Sequence, residues 1–595
     1  MTTLAADLLN WLTRLPLLAV DDLALLTGSP ATDVEAALRE LARAGHVDSI
    51  TPSSPELERS RLYILTQPIR RQLAVESQGS EQQSALPLES RDILRRLASL
   101  EATVALNVFA AGLVAALRRD PKAELEDIWA LPTRRPTTAW WPPGVHAFGS
   151  VRIGGAGTPF FVVVDRAGAP SAHRAALVAG WYRFREGPQP WGTGYLPLTL
   201  ILCPGPAWED AWAQHVLASA DRRRLPPLPV LLAGRAGLGD GPDGPHWRRA
   251  DSAGQVTLAE RIGVEPTRAA HDPPRPARLP NCPPDAAGRP TPLHRWAQET
   301  ARDSRNASRL ELLAALSLTT SEIEKRLLGC LGGHPLLTEP EMATVLEVQP
   351  RVVRIAIDRA VRNRLIAVYN RANTPSPYYC LTRTGLELLA VRDGVPPRRH
   401  ARHTALTALS VRDNRPLPTL LQQFEHTVGA NSFFIAWLDC ARGGPRLLSW
   451  LSAAEAVIRF ESGGRRRSLR PDGAGALLIG DQRFPFLLEW DRGTERPPVL
   501  AEKLARYEEF FRSQATAANE PTVLFVTNSP QREDLVRELA TAILRQHRAR
   551  VLTTTASLLE RFGPRAAIWR AGTSEPRTSW PDPGATERKP LEVPG

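Results

Sequence analysis

The sequence predicts an α/β multidomain protein built as two tandem copies of one unit. Each unit is a winged helix-turn-helix followed by an α/β sheet domain, and the first copy is degenerate. Three observations carry that prediction. Matching segments recur in the same order in the two halves of the 595 residues. Between the halves lies PTRAAHDPPRPARLPNCPPDAAGRPTP, Pro266 to Pro292, which cannot form a packed element and reads as a semi-stiff linker. Each half opens on helical periods that give way to a short extended excursion and a further helix.

The first winged helix is expected over residues 1–78. There LLNWLTRLPLLAVDDLALLTGSPATDVEAALRELARAGHV is followed by RLYILTQPIRRQLA. Its counterpart, expected over 319–396, reads EIEKRLLGCLGGHPLLTEPEMATVLEVQPRVVRIAIDRAVRNRLIAVYN, then SPYYCLTRTGLELLA. Both give a small helix, a longer helix ending in a turn, and a hairpin closing on Leu-Thr, which is the winged-helix pattern. The α/β domains follow over 88–262 and 397–572. LEATVALNVFA at Leu100 parallels FEHTVGANSFF at Phe424, and PFFVVVDRAGA at Pro159 parallels PFLLEWDRGTE at Pro485. PLTLILCPGPAWEDAWAQHV at Pro197 parallels PTVLFVTNSPQREDLVRELA at Pro521, and Trp247-Arg248 parallels Trp569-Arg570. The offsets stay at roughly 316 to 326 residues throughout, as a tandem duplication requires. Residues 263–318 are left as linker and connecting helix, and 573–595 as a disordered tail.

Charge points to a partner. The formal net charge is +11 and the pI about 9.9, which suit a polyanion, foremost double-stranded DNA. Five widely spaced cysteines without a CxxC support neither a zinc site nor a disulfide framework, and fit a reduced, cytoplasmic chain. No apolar run is read as approaching the ~20 residues of a membrane span. The N-terminus lacks the basic region of a signal peptide. The helix from about Pro350 to Leu365 carries Arg351, Arg354, Arg359, Arg362 and Arg364. Arginines there suit phosphate and guanine contacts. Its first-half equivalent presents Asp33 and Glu35 instead, which favours a protein-contacting or purely structural role.

The stretch RPDGAGALLIGDQRFPFLLEWDRGTERPPVLAEKLARY, Arg470 to Tyr507, holds the candidate chemistry. AGALLIG and RFPFLLEW are apolar runs of strand length around Gly480-Asp481, a two-residue hairpin turn. That turn sets Asp472 opposite Glu489, at about 5 Å, where like charges repel. A hard cation such as Mg²⁺ or Mn²⁺ would neutralise them. Asp491 shares a strand face with Glu489. Lys503, one of only four lysines among 74 basic residues, and Tyr507 share a face of the next helix. The first half serves as an internal comparison. It has Val163 at the Glu489 position and Leu177 at the Lys503 position, keeps Asp165 opposite Asp491, and shows no match to Pro471-Asp472. The scaffold is common to both halves, while Asp472, Glu489 and Lys503 are dispensable to it. Asp491 therefore reads as scaffold more than catalyst. His400, His403 and His426 have no partner set in the sequence and read as surface or core residues.

On LLGCLGGHPLLTEPEMATVLE, YYCLTRTGLELLA, Pro471-Asp472, Glu489-Trp490-Asp491-Arg492-Gly493-Thr494, Lys503 and Tyr507, the chain resembles the replication-relaxation family of bacterial mobile elements. That resemblance implies plasmid replication, DNA relaxation or transfer, with other replication or mobile-element proteins as partners. The α/β part is similar to PD-(D/E)xK nucleases, although Asp491 stands where their lysine belongs, with Lys503 offered from the neighbouring helix. Two readings stay open. One is a DNA-binding protein whose nuclease-like domain is inactive. The other is a Mg-dependent endonuclease or nickase, with Asp472 and Glu489 as metal ligands and Lys503, Asp491 and Tyr507 assisting. The two copies are also expected to mimic a dimer within one chain.

Overall fold

The computed structural model describes residues 3–57, 60–77, 89–120, 123–153, 156–252, 254–258, 260, 291–372, 374–403, 418–440, 444–513, 520–544, 547, 550–572 and 576–581. The mixed α/β chain divides into two compact units. One is Met1–Lys325 with Glu387–Arg399, the other Arg326–Leu386 with His400–Gly595. Nearly all of the proline-rich linker lies outside the described residues, as do Cys282 and positions 404–417.

The first unit opens with α1 (Thr3–Arg14), β1 (Leu18–Ala19), α2 (Val20–Thr27), α3 (Ala31–Arg43), β2 (Val47–Ile50), β3 (Leu62–Leu65) and α4 (Gln67–Ser77). The three strands are antiparallel in the order β1-β3-β2. There follow α5 (Ser90–Ala98), α6 (Leu100–Arg119), β4 (Ala123–Ala130), β5 (Ala147–Ile153), β6 (Ala156–Val164), α7 (Ser171–Glu186), β7 (Leu198–Cys203), α8 (Pro206–Arg223), β8 (Val230–Gly234), β9 (Trp247–Arg249) and β10 (Gln255–Val256). They build one sheet in the order β10-β9-β8-β7-β6-β5-β4, with β6, β7 and β8 parallel. The parallel strands are continuous Val/Ile/Leu/Phe runs because helices cover both faces. With 20 residues and a mean hydropathy of 1.8, α6 is long and apolar enough to cross a membrane, which corrects the sequence reading. However, 78% of that stretch is buried inside the fold, as in a core helix. The described part of 263–318 forms α9 (Leu293–Arg302) and α10 (Arg309–Thr319). A capping box starts α10: the Ser308 hydroxyl accepts from the Glu311 N–H, and the Glu311 carboxylate from the Ser308 N–H.

The chain continues through α11 (Glu322–Gly333), β11 (Leu337–Thr338), α12 (Glu339–Leu346), α13 (Pro350–Arg362), β12 (Ile366–Tyr369), β13 (Tyr378–Leu381), α14 (Arg383–Arg392), α15 (Pro397–His403), α16 (Pro418–Gln422) and α17 (Phe424–Asp439). Then come β14 (Arg446–Ser452), β15 (Ile458–Ser462), β16 (Arg465–Leu469), β17 (Gly473–Ile479), β18 (Gln482–Asp491), α18 (Pro497–Ser513), β19 (Thr522–Thr527), α19 (Pro530–Ile543), β20 (Val551–Thr555) and α20 (Ala556–Phe562). The small sheet is ordered β11-β13-β12 and the large one β14-β17-β18-β19-β20, with β18, β19 and β20 parallel. Leu504, Phe511 and Val536 of α18 and α19 pack on one face of the large sheet. Phe433, Phe434 and Trp437 of α17 pack on the other. The tail is corrected at its start. Thr578 exchanges backbone hydrogen bonds with Trp569 (2.7 and 3.0 Å), and Trp580 is buried in the α17-side core.

Strand order and sense agree between the two small sheets and between β4-β5-β6-β7-β8 and β14-β17-β18-β19-β20, with β9 and β10 extending only the first large sheet. Several local irregularities agree as well. A register break falls between Leu125 and Asp127 on β4 and between Leu447 and Ser449 on β14. Leu17 and Leu336, each just before the first short strand, have φ of 70° and 65°. Asn107 of α6 donates to the Pro16 and Leu17 carbonyls, and Asn431 of α17 to the Pro335 carbonyl, each at 2.9 Å. The Trp247 and Trp569 indoles each donate to the carbonyl of a proline five residues earlier.

Candidate functional site

Gly480, at φ 56°, closes the turn between β17 and β18. Pairing runs from Ile479 with Gln482 to Gly473 with Leu488. One step further the Asp472 N–H donates to the Leu488 carbonyl at 2.9 Å, so Asp472 enters the sheet opposite Glu489. The strand alternation turns Glu489 toward α18. There Lys503 Nζ lies 3.0 Å from Glu489 Oε2, and the Tyr507 hydroxyl donates to Oε1. Lys503 also reaches Glu495 Oε1 at 3.3 Å. The i,i+4 spacing of Lys503 and Tyr507 thus delivers two donors to one carboxylate.

Asp472 is held from two sides. The Trp490 N–H donates to Oδ2 at 2.8 Å, and His426 Nε2 of α17 lies 2.9 Å from Oδ1. His426 corrects the sequence reading, which left it as a surface or core residue. Its contact bridges 46 positions, and no spacing rule signals that.

The electrostatics follow from burial. Only 2% of Glu489 is exposed. Burial, joined by the Asp472 charge, pushes its carboxyl up to about 8, against the opposing pull of Lys503 and Tyr507. Burial works against the Lys503 ammonium, yet the Glu489, Asp472 and Glu495 carboxylates hold it above its ordinary range. Burial and the adjacent Glu489 raise the Tyr507 phenol well above its usual value. Burial opposes charge on His426, but the hydrogen bond to Asp472 and the Asp472 and Glu489 charges together outweigh it and raise the imidazole.

The first unit answers position by position. Val163 and Trp181 are buried in one core with Leu177 packed against them, where the second unit has Glu489, Tyr507 and Lys503. The sequence comparison found nothing opposite Asp472, but the backbone does. The His146 N–H donates to the Val162 carbonyl at 2.8 Å. Its Nδ1 accepts from the Val164 N–H at 3.1 Å, the same pair of bonds that Asp472 makes with Leu488 and Trp490. Burial pushes the His146 imidazole down to about 4, so a neutral ring stands where the second unit has an acid.

Asp491 is brought to the same sheet face but not into the cluster. Arg532 of α19 takes both of its oxygens, and the Gly493 N–H adds a bond at 2.8 Å. Asp165 is likewise bound by an arginine, Arg174 at 2.9 Å, but from α7. Glu425 pairs with Arg371. On α13, Arg351, Val352, Arg354, Ile355, Arg359 and Arg362 are exposed, while Val353, Ala356, Ile357 and Ala360 are buried. Arg354 is engaged by Glu339 (2.9 and 3.1 Å), so a phosphate there would have to displace a carboxylate. The Arg362 Nε donates to the Asp358 carbonyl at 3.2 Å.

A divalent cation needs carboxylate oxygens turned to one point. Both Glu489 oxygens face Lys503 and Tyr507, and both Asp472 oxygens face Trp490 and His426. Among the described residues no group of three or more His, Cys, Asp or Glu side chains is placed to hold a metal ion. The arrangement therefore does not fit the Mg²⁺ or Mn²⁺ site expected at Asp472 and Glu489. It defines instead a buried carboxyl, Glu489, that faces Asp472 across the strand pair and has its own internal cation in Lys503.

A sheet bearing this cluster, preceded by a helix–strand–helix–helix–hairpin module with an arginine-lined helix, is the setting for the family comparison. Residues 328–524, about a third of the chain, match the family model described as Replication-relaxation. The match takes in α13, His426, Asp472, Glu489, Lys503 and Tyr507, and leaves out Arg532 and all of the first unit except Glu387–Arg399. No curated protein and no solved structure matched the chain.

Proposed function

We propose that the chain is a DNA-binding protein acting in replication, relaxation or transfer of a plasmid or other mobile element, in the cytoplasm. In this reading the second unit combines a winged helix with a nuclease-like sheet domain that does not cut. The first unit is a diverged duplicate that has exchanged its polar site for apolar core. The observation that carries the proposal is the exposed face of α13. Arginines flank Val352 and Ile355 on the helix that precedes the β12–β13 hairpin, a composition suited to phosphates, guanine edges and thymine methyls. The exposed positions of α3 in the first unit include Asp33, Glu35 and Glu40, which would repel a phosphate backbone.

The test is fluorescence anisotropy on duplex DNA. Replacing Arg351 and Arg359 together by alanine should weaken binding about tenfold or more at ~0.15 M salt and lower the salt slope by about two. Unchanged affinity and slope would refute the assignment of α13.

One observation favours a second reading, a metal-dependent nickase. The second unit keeps a buried acid–lysine–tyrosine set that the first unit's fold manages without. A cation at Asp472 and Glu489 would have to displace Lys503 and His426 from their oxygens. We expect no nicking of supercoiled plasmid in Mg²⁺ or Mn²⁺. Nicking by the wild type that disappears in Asp472→Ala would establish the nickase instead.

A further inference from the structure

We propose that the β15–β16 ribbon is a second DNA-contacting element, one that seats the phosphate backbone of a duplex beside the Asp472–Glu489–Lys503 cluster. The inference rests on the reading of the second unit as DNA-binding and adds a contact that neither α13 nor the family match assigns.

The ribbon is an insertion in the sheet domain. It lies between β14 and β17, the counterparts of β4 and β5, and among the described residues pairs with no other strand. In the first unit the chain between β4 and β5 forms no strand. It buries Leu131, Trp141 and Val145 in the core instead. The ribbon therefore occurs in the unit that carries the polar cluster and is missing from the apolar copy.

Its construction leaves one face for a partner. Gly463 and Gly464, at φ 57° and 71°, close a tight turn with open space around both, as a twisted two-residue hairpin demands. Ile458, Phe460 and Leu469 dock against α18, with the Phe460 ring 5.6 Å from that of Phe510. Arg467 is tied to Glu509 at 3.3 Å. Arg459 points to the opposite side, Arg465 stands at the tip, and Arg470 ends the ribbon two residues before Asp472; all three are exposed. The segment 458–470 holds five arginines and one acid, Glu461. Five-residue strands span about 16 Å, and a two-stranded ribbon is a shape the ~12 Å major groove of a duplex admits. The docked face fixes the ribbon to the helix that carries Lys503 and Tyr507, so DNA held by the arginines is led to the lip of the cluster.

The full chain is titrated with a fluorescent duplex at several salt concentrations. It is compared with the triple variant Arg459→Ala/Arg465→Ala/Arg470→Ala, the corresponding triple lysine variant, and Arg351→Ala/Arg359→Ala. The ribbon alanine variant should bind about tenfold or more weakly at ~0.1 M salt, with the salt slope reduced by close to three. The lysine variant should keep the slope. A ribbon alanine variant with wild-type affinity and slope, beside an α13 variant that loses both, overturns the ribbon alone. A wild type that binds no duplex overturns the DNA reading and the ribbon with it. An RNA duplex that competes better than DNA of the same length overturns DNA as the ribbon's ligand.

Discussion

Glu489 sits where a fully ionised carboxylate is poorly solvated and faces Asp472, so its proton is held more tightly in the folded chain than in the unfolded one. The sign follows from linkage. A carboxyl raised from 4.5 to about 8 contributes stability that is full below pH ~4.5 and lost as pH rises through about 8. His426, raised by Asp472, works the same way: its contribution is present below the ordinary imidazole range and lost above its raised value. Urea unfolding of the second unit should therefore show stability falling from pH 5 to 9, by on the order of 1–3 kcal/mol. Glu489→Gln, which keeps the shape of the neutral acid, should flatten the fall; equal slopes in the two proteins would contradict it. Lys503→Met should be mild at pH 6, where Glu489 can stay protonated, and cost about 3 kcal/mol at pH 9, where a buried carboxylate loses its partner. Part of this site was legible in the sequence. The turn at Gly480-Asp481 sets the register, the register sets Asp472 against Glu489, and helical spacing sets Lys503 with Tyr507. His426 and Arg532 were not legible, because each reaches its acid from a helix more than 40 positions away and no periodicity encodes such contacts.

At the level of elements, the strand end that holds Asp472 is braced by a close approach of helix and strand. A Cβ on Gly429 of α17 would lie 2.2 Å from the Trp490 indole, and it is the Trp490 N–H that binds Asp472. The first unit has Ala105 and Val164 at the same places, a larger residue on the helix and a smaller one on the strand. Gly429→Ala should accordingly displace Trp490, destabilise the second unit by about 1–3 kcal/mol and weaken the Asp472–His426 contact. The latter can be read as a lowered His426 pKa by NMR titration. An unchanged imidazole titration would show that the strand end does not depend on this packing. Strands and helices were readable because apolar runs and helical periods survive in both halves. The β15–β16 ribbon was not, since Arg465, Arg466 and Arg467 give no apolar alternation and only one face is buried. The end of the fold was also misplaced, because a proline- and serine-rich composition gives no sign that Trp580 fills a core.

Across the whole molecule, the proposed duplication makes the two units a natural comparison of different site residues on one strand arrangement. Strand order, the β4 and β14 register breaks, the Asn107 and Asn431 anchors and the tryptophan–proline bonds are kept. The side chains at the site positions are not. If the positions correspond as the backbone bonds of His146 and Asp472 indicate, the polar pair can be carried back. Val163→Glu alone places a carboxylate in a core where Val163 is 2% exposed and should cost about 3–5 kcal/mol, with the acid's pKa driven up. Leu177→Lys alone should be milder, because Leu177 is only partly buried and a lysine stem can run out to solvent. Together they should recover about 1–3 kcal/mol relative to the sum of the single penalties, since the new ammonium can reach the new carboxylate as Lys503 reaches Glu489. Full recovery is not expected. Trp181 stands where Tyr507 donates its hydroxyl, and its ring is stacked on Trp212 at 5.4 Å, so one carboxylate oxygen would lack a donor. Adding Trp181→Tyr should supply it. Unfolding of the four proteins at pH 7 measures the coupling directly. Strictly additive penalties would mean that Val163 and Leu177 do not stand to each other as Glu489 and Lys503 do, and that the shared strand order does not extend to a shared site.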